Sequence, residues 1–246
     1  MTADPPPNLE ELLAVLLSRE VRDWETSACG AVSHIPATAL LLAEATHAPH
    51  AQIIILGSEE YGRNLGKDFH FVAQRGQLDL FFISGIQIDS EGNFNLHVIG
   101  NPDAPDMRLP GGYGTGLLYY TAKRVLLFRT EHTVRTFVPK VDFVSGALKT
   151  PDKIKRPRNS TKVVTPMAIL TWDYEAERWA LESVQAGYSV QDVQENTGFD
   201  LLLPEQEPTT PEPTPQELHT LRTVVRERMI ETDTYPEFAR SGIQSA

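Results

Sequence analysis

Ile53-Ile-Ile-Leu56 leads directly into Gly57-Ser-Glu-Glu60, so that a fully apolar run gives way to a short polar turn. A β-branched run bounded by polar residues is typical of a strand buried on both faces of a parallel sheet. Further strand-like runs follow at residues 78–83, 94–99 and 124–128, and again at 167–171 and 179–184. Because helix-like segments alternate with the first of these strands, the sequence predicts an α/β fold: an open, mostly parallel sheet with helices on both faces.

Helix signals accompany the strand signals. Asn8 and Glu11 have the spacing of a capping box, and five leucines on one helical face follow, which predicts a helix over residues 9–19. Further helices are predicted over residues 35–46, over a short stretch capped by Ser189 and Asp192, and from Pro215 to about Arg228.

The chain organisation follows from composition. Three consecutive prolines predict a disordered N-terminus over residues 1–7, and residues 8–200 read as one α/β domain. Residues 201–246 read as a Pro-rich, acidic, extended segment with a C-terminal helix that packs on the domain or on a partner. Residues 149–162 are basic and contain two prolines, which predicts a mobile loop.

Charge and cysteine content exclude several classes of protein. The formal net charge is -11, from 33 acidic and 22 basic side chains, which disfavours binding to nucleic acid or to an anionic membrane. Cys29 is the single cysteine, so neither an intrachain disulfide nor a Cys-based zinc site is expected, and its apolar surroundings predict an inert thiol. His47 and His50, three residues apart, are too few ligands for a metal site, so no metal site is predicted. With no signal-like or membrane-spanning run, a cytoplasmic location is expected.

Two stretches are candidates for chemistry. Glu59 and Glu60 directly follow the apolar strand, where a carboxylate can act as a base or a nucleophile, although a Glu pair in a turn is also common solvated surface. The loop Gly111-Gly-Tyr-Gly-Thr-Gly116 offers unobstructed backbone N–H groups, from Gly111, Gly112 and Gly114 among others, that suit a phosphate or an oxyanion. Its spacing is a poor match to a dinucleotide-binding loop. Asp89, Asn93 and Asn95 are explained by turn chemistry.

Nine short stretches along the chain together form a specific pattern: Arg22-Asp-Trp-Glu25, Thr46-His-Ala-Pro49, Gly57-Ser-Glu-Glu60, Gln77-Leu-Asp-Leu-Phe-Phe82, Gly85-Ile-Gln-Ile-Asp89, Gly92-Asn-Phe-Asn95, Arg108-Leu-Pro-Gly-Gly112, Lys140-Val-Asp-Phe-Val-Ser145 and Gln194-Glu-Asn-Thr-Gly-Phe199. On these stretches, nearly the whole chain resembles the B (β) subunit of a class I CoA-transferase, and the glutaconate CoA-transferase branch is the most similar.

The resemblance implies a heteromeric enzyme whose active site is shared with an A (α) subunit, in a heterodimer or a higher assembly. CoA thioester would be the substrate, with no separate cofactor. The B-type chain would move CoA between an acyl-CoA and a carboxylic acid through a glutamyl-CoA thioester. Glu59 would be the nucleophile, with Glu60 as the second candidate, and Gly111, Gly112 and Gly114 would contact the thioester oxygen or CoA.

Alternatives stay open. The family glutamate is usually followed by Asn-Gly or Ser-Gly, whereas Glu59 precedes Glu60-Tyr-Gly62, and an alignment without a gap places Leu56 at the nucleophile position. Some relatives without this glutamate hydrolyse a ring or decarboxylate a CoA ester, so a hydrolase or lyase is the second hypothesis, and a non-catalytic partner subunit is the third. The basic residues 149–162 would either meet the phosphates of CoA or form a solvated loop.

Overall fold

The computed structural model describes residues 5–62, 68–150, 160–206 and 208–245. These residues form two compact units. Unit 1 comprises the described residues up to Phe82 and from Glu212 onwards, and unit 2 comprises those of Ile83–Pro211. No helix in these ranges is both long enough and apolar enough to cross a membrane.

Helices and strands alternate up to residue 83, and strands follow one another over much of the remaining chain. The helices are α1 (Leu9–Ser18), α2 (His34–Thr46), α3 (Asp68–Gln74), α4 (Thr115–Thr121), α5 (Val190–Glu195), α6 (Pro215–Thr220), α7 (Arg226–Glu231) and α8 (Pro236–Ser241), with a π-helical turn over Leu221–Val225. The strands are β1 (Thr26–Cys29), β2 (Gln52–Ile55), β3 (Leu80–Ile83), β4 (Gln87–Asp89), β5 (Phe94–Asn95), β6 (Val98–Asn101), β7 (Ala104–Arg108), β8 (Arg124–Phe128), β9 (Phe137–Val138), β10 (Ser160–Val164), β11 (Ala168–Asp173) and β12 (Arg178–Val184).

Unit 1 is built on parallel strands. Strand β1 lies between β2 and β3 and pairs in parallel with both, with Ser27 opposite Ile53 on one side and Leu80 on the other. Parallel neighbours require a crossover, and α2 supplies it between β1 and β2. Helix α2 buries its three consecutive leucines completely, which explains why its sequence shows no polar face.

Unit 2 combines parallel and antiparallel pairing. Strand β8 pairs in parallel with β10, and β10, β11 and β12 continue as an antiparallel meander. A small sheet of β5, β4 and β9 and the hairpin of β6 and β7 complete the strands. The indole N–H of Trp179, which is buried, donates to the carbonyl of Asp89 at 2.9 Å and ties the meander to the small sheet. The predicted α/β class with a mostly parallel sheet is therefore confirmed: three of the five main-sheet pairings within the units are parallel.

Several local predictions are confirmed. Asn8 and Glu11 form the predicted capping box of α1, and Ser189 and Asp192 form that of α5. The C-terminal helix starts at Pro215 as predicted and continues to Glu231 through the π-helical turn. Cys29 is fully buried, and burial raises the pKa of its thiol, as expected for an unreactive cysteine.

Two predictions are wrong in detail. The single strand predicted over residues 94–99 is divided into β5 and β6, because the side chain of Asn95 accepts the backbone N–H of His97 at 2.9 Å and turns the chain. The loop predicted over residues 149–162 ends earlier, since Lys162 lies in β10 and forms an ion pair with Glu182 at 2.8 Å. Residues 151–159 of that predicted loop lie outside the described residues.

Candidate functional site

The turn after β2 is closed by its own backbone. The N–H of Ser58 donates to the carbonyl of Ile55 at 3.1 Å, and the N–H of Gly62 donates to that of Ser58 at 2.9 Å. Gly57 has φ +89°, and a Cβ there would lie 3.3 Å from Cβ of Ala31, so the position suits glycine. A hydrogen bond of 2.9 Å between the hydroxyls of Ser58 and Thr234 attaches the turn to the segment after α7. The sequence thus folds into an anchored turn at the end of a buried strand.

Glu59 and Glu60 lie on the open side of this turn. Both are exposed, and neither carboxylate forms a hydrogen bond or an ion pair within the described part of the chain. With Glu231, Thr232 and Asp233 they line an open cavity of about 580 Å³. An unpartnered carboxylate retains its lone pairs for attack on a carbonyl carbon, so either glutamate is chemically available as a nucleophile.

Leu56 occupies the end of the strand itself. Its N–H donates to the carbonyl of Cys29 at 3.2 Å, in continuation of the β1–β2 pairing, and its side chain is half-buried. Glu59 follows three positions later, in the turn. The structure therefore places an apolar side chain at the strand end and the carboxylates beyond it.

The glycine-rich loop belongs to unit 2. Gly111 has φ +87° and Gly114 has φ +77°, both in the left-handed region that favours glycine. The carbonyl of Gly112 accepts the backbone N–H of Thr115 at 2.8 Å. Helix α4 begins at Thr115, so the loop leads into a helix as predicted. The N–H groups of Gly111, Gly112 and Gly114 donate to no carbonyl in the ranges described. They remain available as donors to an anionic or polarised oxygen.

The predicted site residues thus fall into two groups. Glu59 and Glu60 belong to unit 1, where they share one cavity, and Gly111, Gly112 and Gly114 belong to unit 2, where they share one loop.

Sequence reasoning missed the polar residues packed around the glycine-rich loop. His97 Nδ1 lies 2.6 Å from Ser145 Oγ, and Ser145 Oγ accepts the N–H of Leu96 at 2.7 Å. Ser145 ends one of the motifs that carry the family resemblance, and His97 lies two residues after another. The two residues are 48 positions apart, so the sequence gives no local signal that they meet. The turn assignment for Asp89 is confirmed, since its carboxylate accepts the N–H groups of Glu91 and Asn93.

The histidines with the closest spacing have structural partners. His50 Nδ1 lies 3.0 Å from Asp23 Oδ2, and its ring stacks on Trp24 with centroids 4.2 Å apart. His47 Nε2 lies 3.1 Å from the carbonyl of Val21. In the described ranges no three His, Cys, Asp or Glu side chains are grouped so that they could hold a metal ion.

A family model and two B-subunit relatives, all described as CoA-transferases, match this chain. Residues 15–196 match the family model described as Coenzyme A transferase. The chain is 31% identical over 163 residues to the B subunit of 3-oxoadipate CoA-transferase from Pseudomonas knackmussii, an alignment that covers 64% of this chain and 62% of that relative. It is 26% identical over 230 residues to the B subunit of glutaconate CoA-transferase from Acidaminococcus fermentans, covering 78% of this chain and 83% of the relative.

Solved structures share the fold. The crystal structure of glutaconate CoA-transferase from Acidaminococcus fermentans aligns with a TM-score of 0.74 at 22% identity, covering 97% of this chain and 98% of that one. The decarboxylase AibA/AibB aligns with a TM-score of 0.76 at 22% identity, covering 97% and 99%. The match to the family model spans most of the chain, and on that basis the protein belongs to the coenzyme A transferase family.

Proposed function

We propose that the chain is the B subunit of a heteromeric CoA-transferase that moves CoA between an acyl-CoA and a carboxylic acid. The family match and the two B-type relatives support this activity. The observation that carries it is the pair of exposed carboxylates of Glu59 and Glu60, on an anchored turn at the end of a parallel strand. Neither carboxylate has a hydrogen-bond or ion-pair partner among the described residues. Active sites of α/β sheets lie at these strand ends.

Glu59 is the proposed nucleophile, and Glu60 is the second candidate. The carboxylate attacks the thioester carbonyl and expels CoA thiolate, which gives an acyl–glutamyl anhydride. The thiolate then attacks the glutamyl carbonyl, which releases the first carboxylic acid as its anion and leaves a glutamyl-CoA thioester. The acceptor carboxylate then attacks the glutamyl-CoA thioester and expels CoA thiolate, which gives a second acyl–glutamyl anhydride. The thiolate attacks the acyl carbonyl of this anhydride, which forms the new acyl-CoA and regenerates the glutamate.

The glycine-rich loop has the complementary role. Backbone N–H groups of Gly111, Gly112 and Gly114 would donate to the thioester oxygen as it gains negative charge, or to CoA itself. An A-type partner completes the active site, in a heterodimer or a larger assembly. CoA is carried as a substrate and no separate cofactor is required, and we place the enzyme in the cytoplasm.

Substitution of the two glutamates tests the assignment. In the complex with its A-type partner, Glu59→Gln keeps the shape of the side chain and removes the nucleophile, so CoA exchange should fall by roughly a thousandfold or more. Glu60→Gln should have a smaller effect. Glu175→Gln, in the exposed turn between β11 and β12, is the matched control and should be neutral. Near-normal exchange in Glu59→Gln together with loss in Glu60→Gln would transfer the role to Glu60.

A hydrolase or lyase acting on a CoA ester is the second candidate. The half-buried Leu56 at the strand end, where the ungapped alignment places the nucleophile, favours it. It predicts turnover of an acyl-CoA without any added acceptor acid, and normal activity in both glutamine variants. Full, acceptor-dependent CoA exchange in the Glu59→Gln/Glu60→Gln double variant, combined with no exchange when this chain is omitted, would instead indicate a non-catalytic partner subunit.

A further inference from the structure

His97 is fixed in the short connection between β5 and β6. Its N–H donates to Asn95 Oδ1 at 2.9 Å, and its carbonyl accepts the N–H of Leu109 at 2.9 Å. The imidazole packs against the ring of Phe143, with centroids 5.0 Å apart. Backbone and ring are both held, so the imidazole has a defined orientation in unit 2.

The contact with Ser145 bears on which ring nitrogen of His97 carries the proton. Ser145 Oγ already accepts the N–H of Leu96 at 2.7 Å, and its hydroxyl hydrogen needs an acceptor. His97 Nδ1, at 2.6 Å, is the acceptor in reach among the described residues. A neutral imidazole that accepts at Nδ1 carries its hydrogen on Nε2. With the serine hydroxyl as the donor to Nδ1, Nε2 is a hydrogen-bond donor.

The Nε2 edge of the ring lies against the glycine-rich loop. A Cβ on Gly111 would lie 3.0 Å from His97 Nε2, and a Cβ on Gly112 would lie 3.7 Å from Cε1. The side chain of His97 is half-buried, and Nε2 forms no hydrogen bond within the described part of the protein. A fixed donor without a partner thus stands beside the N–H groups of the loop, which also lack acceptors among the described residues.

We propose that His97 is a catalytic residue that donates a hydrogen bond from Nε2 to the carbonyl oxygen of the bound acyl thioester, next to the N–H groups of the glycine-rich loop. Ser145 is its positioning residue. The inference rests on the proposed acyl-CoA chemistry and adds a side-chain donor to it. A preorganised donor strengthens its bond as the oxygen gains charge in the transition state, which is the way such groups accelerate acyl transfer.

Binding of two probes to the complex with the A-type partner tests the contact. Acetyl-CoA has the carbonyl oxygen, and S-ethyl-CoA, its thioether analogue, lacks it. His97→Phe keeps an aromatic ring and removes the donor, so calorimetry should show roughly tenfold weaker binding of acetyl-CoA, the value of one hydrogen bond, and unchanged binding of S-ethyl-CoA. His219→Phe, at an exposed histidine, should change neither affinity.

The tautomer provides a readout that does not depend on activity. In the complex with ¹⁵N-histidine in this chain, NMR should show His97 protonated at Nε2, and Ser145→Ala should abolish that preference. Acetyl-CoA should shift the Nε2–H resonance, and S-ethyl-CoA should not. Protonation at Nδ1, or equal loss of both probes in His97→Phe, would overturn the role of His97 alone. A wild-type complex that binds neither probe would count against the CoA chemistry as well.

Discussion

His132 is a buried neutral histidine with two fixed hydrogen bonds. Its Nδ1 lies 2.9 Å from Thr165 Oγ1 and its Nε2 lies 3.0 Å from Thr197 Oγ1, while the ring stacks on Phe137 at 4.2 Å. Burial lowers the pKa of His132 to about 4, because the charged form loses its hydration. The residue is structural, and its titration is linked to folding.

Protonation of His132 should destabilise the protein in acid. Between about pH 6.5, where the unfolded side chain titrates, and about pH 4, the unfolded state binds more protons than the folded state, so the free energy of unfolding falls as the pH falls. The loss attributable to His132 should be on the order of 3 kcal/mol at full extent. Urea denaturation at a series of pH values measures it, and His132→Gln should flatten the profile in this window. Parallel profiles for His132→Gln and wild type would show that the histidine is not responsible.

Gly111 and Gly76 form a matched pair that separates backbone strain from contact with His97. Both have positive φ, but an added Cβ at Gly76 has nothing within 4 Å, whereas at Gly111 it meets His97 Nε2. Gly76→Ala should cost roughly 1–2 kcal/mol, the cost of a left-handed conformation. Gly111→Ala should cost more and should also displace the imidazole. Chemical denaturation compares the two variants, and equal costs would mean that the ring moves freely.

The predicted elements are confirmed where a local sequence pattern is sufficient to specify the helix or strand. The β8 strand, the capping boxes and the C-terminal helix depend on neighbours a few residues apart, and the sequence shows those directly. The division of residues 94–99 into β5 and β6 depends instead on one Asn side chain that captures a backbone N–H. Strand β10 was not predicted, because it is stabilised by hydrogen bonds to β8 and β11 and its own short sequence has no clear strand pattern.

Helix α1 is joined to the π-helical turn by a buried ion pair. Arg222 donates to both carboxylate oxygens of Glu11, at 3.0 Å and 2.9 Å, and both side chains are fully buried. Glu11 also accepts the N–H of Asn8, as part of the capping box, and the N–H of Gln244. Loss of one partner would leave a buried charge without its counter-charge, which is costly.

Arg222→Met should therefore lower the free energy of unfolding by about 3 kcal/mol or more. Arg19→Met is the matched control, because Arg19 pairs with Glu217 at 2.8 Å in a partly exposed position, where solvent can replace the lost partner and the cost should be smaller. Thermal and urea denaturation of both variants test the difference. A cost for Arg222→Met no greater than that for Arg19→Met would refute the structural role of the buried pair.

At the level of the whole protein, the sequence could propose the glutamates and the glycine loop as site residues, because the glutamates follow a strand signal and the loop precedes a helix signal. Their role stays a prediction. The sequence could not identify His97 and Ser145, since distant parts of the chain meet there only after folding. The net charge of -11 disfavours binding to nucleic acid, and this expectation stays a prediction. Shared family motifs, rather than composition, therefore carried the functional prediction.

Activity should require two different chains. The chain purified alone should not exchange CoA, because we place part of the active site in the A-type partner, and mixing the two proteins should restore exchange. Steady-state assays on each protein and on the mixture measure this. Full exchange by this chain alone would refute the shared site.

Mass spectrometry of the complex after incubation with a panel of acyl-CoAs and reduction with borohydride tests the proposed chemistry most directly. A glutamyl-CoA thioester, or the alcohol that borohydride forms from it, is expected on the peptide that contains Glu59 and Glu60. The modification should disappear in Glu59→Gln and persist in Glu175→Gln. Consumption of an acyl-CoA with that peptide unmodified would contradict the covalent transferase mechanism and favour the hydrolase or lyase.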